Sequence, residues 1–222
     1  MKFGREPSRL LLAFLVLLAS ALPVRAQNLE LVGPRLDSSA YCAGDCAVSL
    51  FAGRRIDSAM SKMFGVDGFV PPSQWKWGDA GFVGLAVSKR LLSVGEFVRF
   101  EGEVGVGKRF GAQTEGEAWV ALYGRWIWFP WNNYVRTSVA VSTGFNVATD
   151  VPKYEEERSG RRAYLLHYLS PEVTFAAPDS NWEVFARLQH RSGGRDWWGK
   201  AAIFRNAAGG IQFGTLGVRY KF

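Results

Sequence analysis

Short runs in which apolar and polar residues alternate make up most of this 222-residue chain. Alternation with a period of two is typical of β-strands, because successive side chains of a strand point to opposite faces. Eight such runs follow residue 45, separated by turns rich in Gly, Pro, Asn and Asp, and no segment shows sustained helical periodicity. The predicted strands are residues 47–55, 80–91, 97–109, 117–129, 134–148, 163–176, 182–193 and 211–222.

The connections between the predicted strands alternate in length. Those after the second, fourth and sixth strands have four or five residues, whereas the others have between 7 and 24. Antiparallel up-and-down barrels of the outer membrane have this organisation, with short periplasmic turns and longer external loops. A closed barrel also leaves no strand edge unpaired inside a bilayer. The sequence therefore predicts an all-β fold, an eight-stranded antiparallel up-and-down transmembrane β-barrel.

Each predicted strand has one apolar row and one polar or charged row. We expect the apolar rows to face lipid, because a soluble barrel needs the opposite arrangement. The charged rows would then fill the interior, where a buried charge needs a partner, and this crowding argues against a diffusion pore. The residues expected in this polar interior are Arg99, Glu101, Glu103, Arg136, Glu172 and Arg187. The nine Trp residues fit aromatic belts at the two membrane interfaces.

The N-terminus has the features of a secretory signal. A basic start is followed by an apolar run over residues 10–24 and by a small-residue cleavage pattern that ends at Ala26. We therefore expect residues 1–26 to be removed and residues 27–222 to form one barrel domain in the outer membrane of a Gram-negative bacterium. The removed segment would carry +3 of the formal charge of +7. The positive charges that remain after this removal form no basic cluster, so nucleic-acid binding is not predicted.

Cys42 and Cys46 are the two cysteines of the chain. After export, they would form either a small disulfide loop or two free thiols. Two His and two Cys residues at scattered positions do not make a metal site, and no metal or other cofactor is predicted.

The C-terminal residues 217–222 contain a glycine, spaced aromatic residues and a final Phe222. This ending resembles the C-terminal signal of outer-membrane barrels. The resemblance implies that the barrel-assembly machinery recognises the chain through Phe222.

The seventh predicted strand contains an interruption in its lipid-facing row. The row begins with apolar residues and continues with His190 and Ser192, which share one face because they are two residues apart. Counted from the short-turn ends, Gln212 on the last strand reaches a similar height, so we expect it beside His190. A His next to a Ser suits nucleophilic catalysis, whereas polar residues that have merely reached the headgroup region are the alternative. His167 has the same parity on the sixth strand, and we interpret it as an interfacial residue.

Three segments carry a resemblance to a known family. The segment Ala186-Arg-Leu-Gln-His190-Arg-Ser192-Gly-Gly contains a His-x-Ser motif on the penultimate strand, residues 169–175 form a strand with a central Pro, and Gly210-Ile211-Gln212 opens the last strand. This combination resembles the PagL family of lipid A 3-O-deacylases, which are eight-stranded outer-membrane hydrolases. The length of the mature chain fits the family as a whole.

The resemblance implies that the substrate is lipid A, or lipopolysaccharide, in the outer leaflet. Ser192 would attack the ester of a 3-hydroxyacyl chain, and His190 would accept and return the proton. Gln212 stands where the family has Glu, and Gly193 stands where it has Asn. The candidates for an oxyanion hole are the backbone N–H groups of Gly193 and Gly194 and the side chain of Asn206.

Two other functions remain open from the sequence. One is a non-enzymatic barrel with a structural or surface-binding role, which has lost the catalytic acid. The other is an outer-membrane acyltransferase or phospholipase, because a Ser nucleophile does not define the acyl acceptor.

Overall fold

The computed structural model describes residues 29–31, 42–65, 68–150, 163–193 and 210–222. The predicted signal segment lies outside the described residues. Short helical turns are present at Met60–Met63 (α1) and, as a 3-10 helix, at Pro72–Gln74. The strands are β1 (Leu29–Leu31), β2 (Cys46–Ile56), β3 (Phe64–Gly65), β4 (Gly68–Phe69), β5 (Trp77–Val94), β6 (Val98–Gly111), β7 (Gly116–Trp126), β8 (Arg136–Ala148), β9 (Leu165–Leu169), β10 (Glu172–Ala176), β11 (Trp182–Ser192) and β12 (Gly210–Lys221).

The main sheet closes into a ring of antiparallel strands. From β5 the order is β2, β12, β11, β10, β8, β7 and β6, and β6 pairs with β5 again. β9 pairs with β8 and β11 and therefore occupies the same position in the ring as β10. The prediction of an eight-stranded antiparallel barrel is thus confirmed. The connections after β5, β7 and β10 lie at one end of the barrel, which we call the short-turn end, and those after β2, β6, β8 and β11 lie at the other, the long-loop end.

The sixth predicted strand is divided into β9 and β10 at Ser170 and Pro171. Proline has no N–H group to donate to the ladder, so a strand is interrupted where it occurs. The carbonyl groups at the break are still used, because Ser142 N–H donates to Ser170 O at 3.2 Å and Leu188 N–H donates to Pro171 O at 2.9 Å. The ring therefore stays closed across the interruption.

The outward-facing rows of the barrel are apolar, as the alternation predicts. Their exposed fractions reach 72% at Leu216. Such a surface is unfavourable in water and is expected where acyl chains surround the barrel. The large apolar residues exposed on the strands include Leu50, Leu85, Val104, Val106, Val120, Leu122, Val139, Val141, Val184 and Val218. Among the helices of the described residues, none is long and apolar enough to cross a bilayer.

The interior contains a network of buried ion pairs centred on Glu172. Its carboxylate accepts hydrogen bonds from Arg125 at 2.8 Å, from Arg187 at 2.8 Å and from Arg219 at 2.9 Å. Arg187 also binds Glu103 at 2.7 Å. Four of the six predicted interior residues, Glu101, Glu103, Glu172 and Arg187, belong to this network. Each buried charge is stable there because an opposite charge compensates its lost hydration.

Arg136 lies at the edge of the predicted charged interior. It is the first residue of β8, its side chain is 36% exposed, and its Nη2 atom lies 3.8 Å from the buried Glu183 carboxylate. It also donates to the turn carbonyls Pro178 O at 2.8 Å and Ser180 O at 2.6 Å. Arg99 lines a small cavity at the short-turn end of the interior, with Glu101 beside it.

A cluster of aromatic residues, which the sequence analysis did not predict, shares the interior with the charges. Inward-facing glycines make room for these rings: a Cβ atom at Gly107 would lie 2.5 Å from Phe82 Cζ, and one at Gly84 would lie 2.7 Å from Phe51 Cζ. The two kinds of group are in contact, since the Arg187 guanidinium lies 4.7 Å from the centre of the Phe51 ring. The buried rings are Phe51, Phe82, Trp119, Tyr123, Tyr168, Phe185 and Phe213.

The short-turn end is closed by covalent and backbone contacts. Cys42 and Cys46 form a disulfide, which decides between the two alternatives left open by the sequence. Cys46 and the C-terminal Phe222 exchange backbone hydrogen bonds at 3.3 and 3.0 Å. Trp182 packs on Tyr220 with ring centres 4.9 Å apart, in agreement with an aromatic belt at this interface.

We expect Glu172→Gln to destabilise the barrel strongly. The change removes the charge that three buried Arg side chains share, and breaking a buried pair costs about 3–5 kcal/mol. The free energy of unfolding in lipid vesicles would measure the loss. The control is Arg54→Gln, whose partner Asp79 is exposed, with side-chain exposures of 57% and 90%; it should cost less than about 1 kcal/mol. Equal losses in both variants would contradict the role of Glu172.

Candidate functional site

The register between β11 and β12 brings two predicted site residues together. His190 and Gln212 are direct partners in the ladder, and both side chains are on the outward face. The His190 Nδ1 and Gln212 Oε1 atoms are 3.0 Å apart. The prediction that Gln212 lies beside His190 is therefore confirmed.

A backbone carbonyl defines the orientation of the Gln212 amide. Gln212 Nε2 donates a hydrogen bond to Ser58 O, and a carbonyl oxygen can only accept. The NH₂ group must therefore face Ser58, and Oε1 must face His190. Because Oε1 can also only accept, the proton of the neutral imidazole is on Nδ1 and the lone pair is on Nε2. This is the tautomer that a general base needs if it acts through Nε2.

Residues 57–65 and 68–76, which we call the covering segment, pack on the outer wall of the barrel below His190. Met63 and Ile56 are only 1% and 3% exposed, and Leu188 of β11 is 5% exposed. These three residues form one cluster, with Met60 and Trp75 packed against it. Leu188 belongs to the outward row that was expected to face lipid, but it is covered, because the first long connection folds down over the wall instead of extending from its end.

Backbone and indole hydrogen bonds shape the covering segment. Asp57 N–H donates to Lys76 O at 2.7 Å, so the two ends of the segment are adjacent. Trp75 Nε1 donates to Val70 O at 2.7 Å, which links Trp75 to the residue that follows the β3–β4 hairpin. The rings of Trp75 and Trp77 are in contact, with centres 5.8 Å apart.

Ser192 is partly buried and lies two residues beyond His190 on the same outward face. Its partner on β12 is Gly210. A Cβ atom at Gly210 would lie 2.8 Å from His190 Cε1 and 3.2 Å from Ser192 Cβ. A side chain at position 210 would therefore collide with the His190 ring, and the glycine allows this ring to lie against β12.

His167 belongs to the same surface. It is the direct partner of Ser192 on β9, faces outward and is 8% exposed. Its Nε2 atom lies 2.9 Å from Thr143 Oγ1. The interpretation of His167 as an interfacial residue did not include Ser192 as its neighbour. The signal was available, since extending the register from the short turn between β10 and β11 places His167 opposite Ser192.

The oxyanion candidates are only partly described. Gly193 directly follows β11 and is buried, so its N–H group remains a candidate donor. Gly194 and Asn206 lie outside the described residues.

Neither a scan against protein-family models nor a search of curated proteins finds a match to this chain. Among solved structures, the outer membrane enzyme PagL is similar with a TM-score of 0.48 and 11% identity, over 79% of this chain and 99% of that one. Neisserial surface protein A is similar with a TM-score of 0.46 and 13% identity, over 81% of this chain and 97% of that one. At these values neither likeness supports an argument about what this chain does.

Proposed function

We propose that this protein is an outer-membrane serine esterase that removes a 3-hydroxyacyl chain from lipid A, and so remodels lipopolysaccharide. The observation that carries the proposal is the hydrogen bond between His190 and Gln212 on the outward wall, with Ser192 on the same face. A polar cluster of this kind on a lipid-facing surface needs a functional reason. An ester that lies in the surrounding leaflet would reach the cluster without entering the barrel.

The arrangement supplies the groups that acyl transfer to water needs. His190 Nε2 would remove the proton of Ser192 Oγ as the oxygen attacks the ester carbonyl. The protonated imidazole would then give this proton to the departing sugar oxygen. Water would then attack the acyl group on Ser192, while His190 Nε2 accepts the proton of the water and returns it to Ser192 Oγ. The Gly193 N–H group is the candidate donor to the oxyanion.

Gln212 would act as an orienting group rather than as an acid. In serine proteases, replacing the triad Asp by Asn lowers kcat by about ten-thousand-fold because the imidazole adopts the wrong tautomer. Here the hydrogen bond from Gln212 to Ser58 O favours the amide orientation that avoids this loss. The missing negative charge remains a cost, since a neutral amide offsets the imidazolium charge only weakly.

The proposed location follows from the surface of the barrel. Its apolar outer rows, short turns and aromatic contacts at the short-turn end suit the outer membrane of a Gram-negative bacterium. Export through a signal at residues 1–26 and recognition of Phe222 by the barrel-assembly machinery are part of the same proposal.

A non-enzymatic barrel with a structural or surface-binding role is the second candidate. The observation that favours it is the covering segment, which leaves Gln212 only 4% exposed. A buried, uncharged residue at this position is also compatible with a cluster that only stabilises the barrel wall.

We expect expression in a Gram-negative host to remove one hydroxyacyl chain from lipid A, and we expect Ser192→Ala to abolish this change. Mass spectrometry of extracted lipid A would measure it. Ser142→Ala is the matched control, because the Ser142 hydroxyl faces the interior and has no hydrogen-bond partner among the described residues. Unmodified lipid A with folded wild-type protein would favour the non-enzymatic barrel. Acyl loss from phospholipid instead would identify a phospholipase.

The two histidines should differ in their effect. We expect His190→Asn to reduce deacylation to background, because it removes the base. His167→Asn should leave most of the activity, since His167 is bonded to Thr143 and lacks the contact with Gln212. Initial rates on purified lipid A in detergent would compare the variants. A larger loss in His167→Asn than in His190→Asn would reassign the base to His167.

A further inference from the structure

We propose that the covering segment is a positioning element of the candidate site, which sets the position of the proton on His190 through the Ser58 carbonyl and the Gln212 amide. The consequence for catalysis rests on the proposed function. The proton position itself can be measured without any substrate.

The strands alone do not determine this proton position. The β11–β12 register places Gln212 beside His190, but an amide has nearly the same shape when its oxygen and nitrogen exchange places. With the amide reversed, NH₂ would face His190 Nδ1, and the imidazole proton would move to Nε2. Ser58 O is the acceptor that opposes this reversal, and Ser58 belongs to the covering segment.

Apolar packing holds Ser58 in place. Met63 packs in one cluster with Ile56 of β2 and Leu188 of β11, and these side chains are almost fully buried. The segment contacts the barrel from outside, whereas the ladder pairs of β2, β11 and β12 lie beneath it. A change in Met63 therefore acts on the segment and leaves the strand pairing intact.

The same geometry explains why an amide suits this position. A Glu at position 212 would accept a hydrogen bond from His190, but its second oxygen would face the carbonyl oxygen of Ser58. Two acceptors without a proton between them repel each other and lose hydrogen bonds. Gln212 satisfies both neighbours, so Gln212→Glu should displace the covering segment instead of simply improving the site.

The test is nuclear magnetic resonance of histidine-labelled protein in detergent micelles. The chain has two His residues, and His167→Asn assigns their signals. At pH 8.5, about two units above the usual pKa of roughly 6.5, both rings should be neutral. We expect the ring nitrogen shifts of wild-type His190 to show the proton on Nδ1. A proton on Nε2 in the wild-type protein would overturn the proposal.

Two variants and one control test whether the covering segment is responsible. Met63→Ser should loosen the segment and convert the single Nδ1–H signature into a mixture of tautomers, whereas the control Met63→Leu should preserve it. In the deletion variant an Asn-Gly turn replaces residues 58–75, which is feasible because Asp57 and Lys76 are hydrogen-bonded to each other. An unchanged Nδ1–H signature in this deletion variant would overturn the proposal, whatever the behaviour of Met63→Ser.

Activity gives a second readout. If the protein deacylates lipid A, kcat in each variant should fall by the same factor as the Nδ1–H fraction. Absence of activity in the wild-type protein, together with the expected tautomer shifts, would reject the proposed function and leave the positioning role supported. Full kcat in the deletion variant would reject the positioning role and leave the esterase intact.

Discussion

Pairing of β5 with β6 closes the ladder, and the other features of the barrel depend on this closure. Once the ring is closed, every strand of the ring has a partner on both sides, as a bilayer requires. Closure also fixes which residues face inward, because a slip of one residue would move every charged row to the lipid side. The ion pairs around Glu172 inside and the apolar surface outside are therefore two results of one register.

An eight-stranded ring leaves an interior that side chains fill. In this protein, glycines on the inward face admit large rings, and the remaining volume contains paired charges. The filled interior makes the wall rigid, and a rigid wall holds side chains on its outer surface at fixed spacing. The candidate site thus depends on strands for the positions of His190, Ser192 and Gln212, and on a separate external segment for the orientation of one amide.

Much of this arrangement could be predicted from the sequence, because a short turn fixes which residues of the two strands it joins lie opposite each other. The adjacency of His190 and Gln212 follows from their similar heights above the short-turn end. The pairing of Ser192 with His167 on β9 could also be predicted, by counting residues from the short turn between β10 and β11. The alternation along a single strand does not reveal it. Parity gives the face of Arg136 but not its depth, and at the end of β8 its side chain reaches the turn carbonyls as well as the Glu183 carboxylate.

The sequence by itself determined the strands, their two faces and the outward row that includes His190 and Ser192, because these depend on a local period of two. Tertiary structure decided what covers that row and how Gln212 is oriented. Met63 and Ser58 lie in a connection with no regular period, so its path depends on tertiary contacts such as the apolar packing of Met63 with Ile56 and Leu188. The orientation of the amide depends on a single carbonyl, which reaches Gln212 from 154 residues away along the chain.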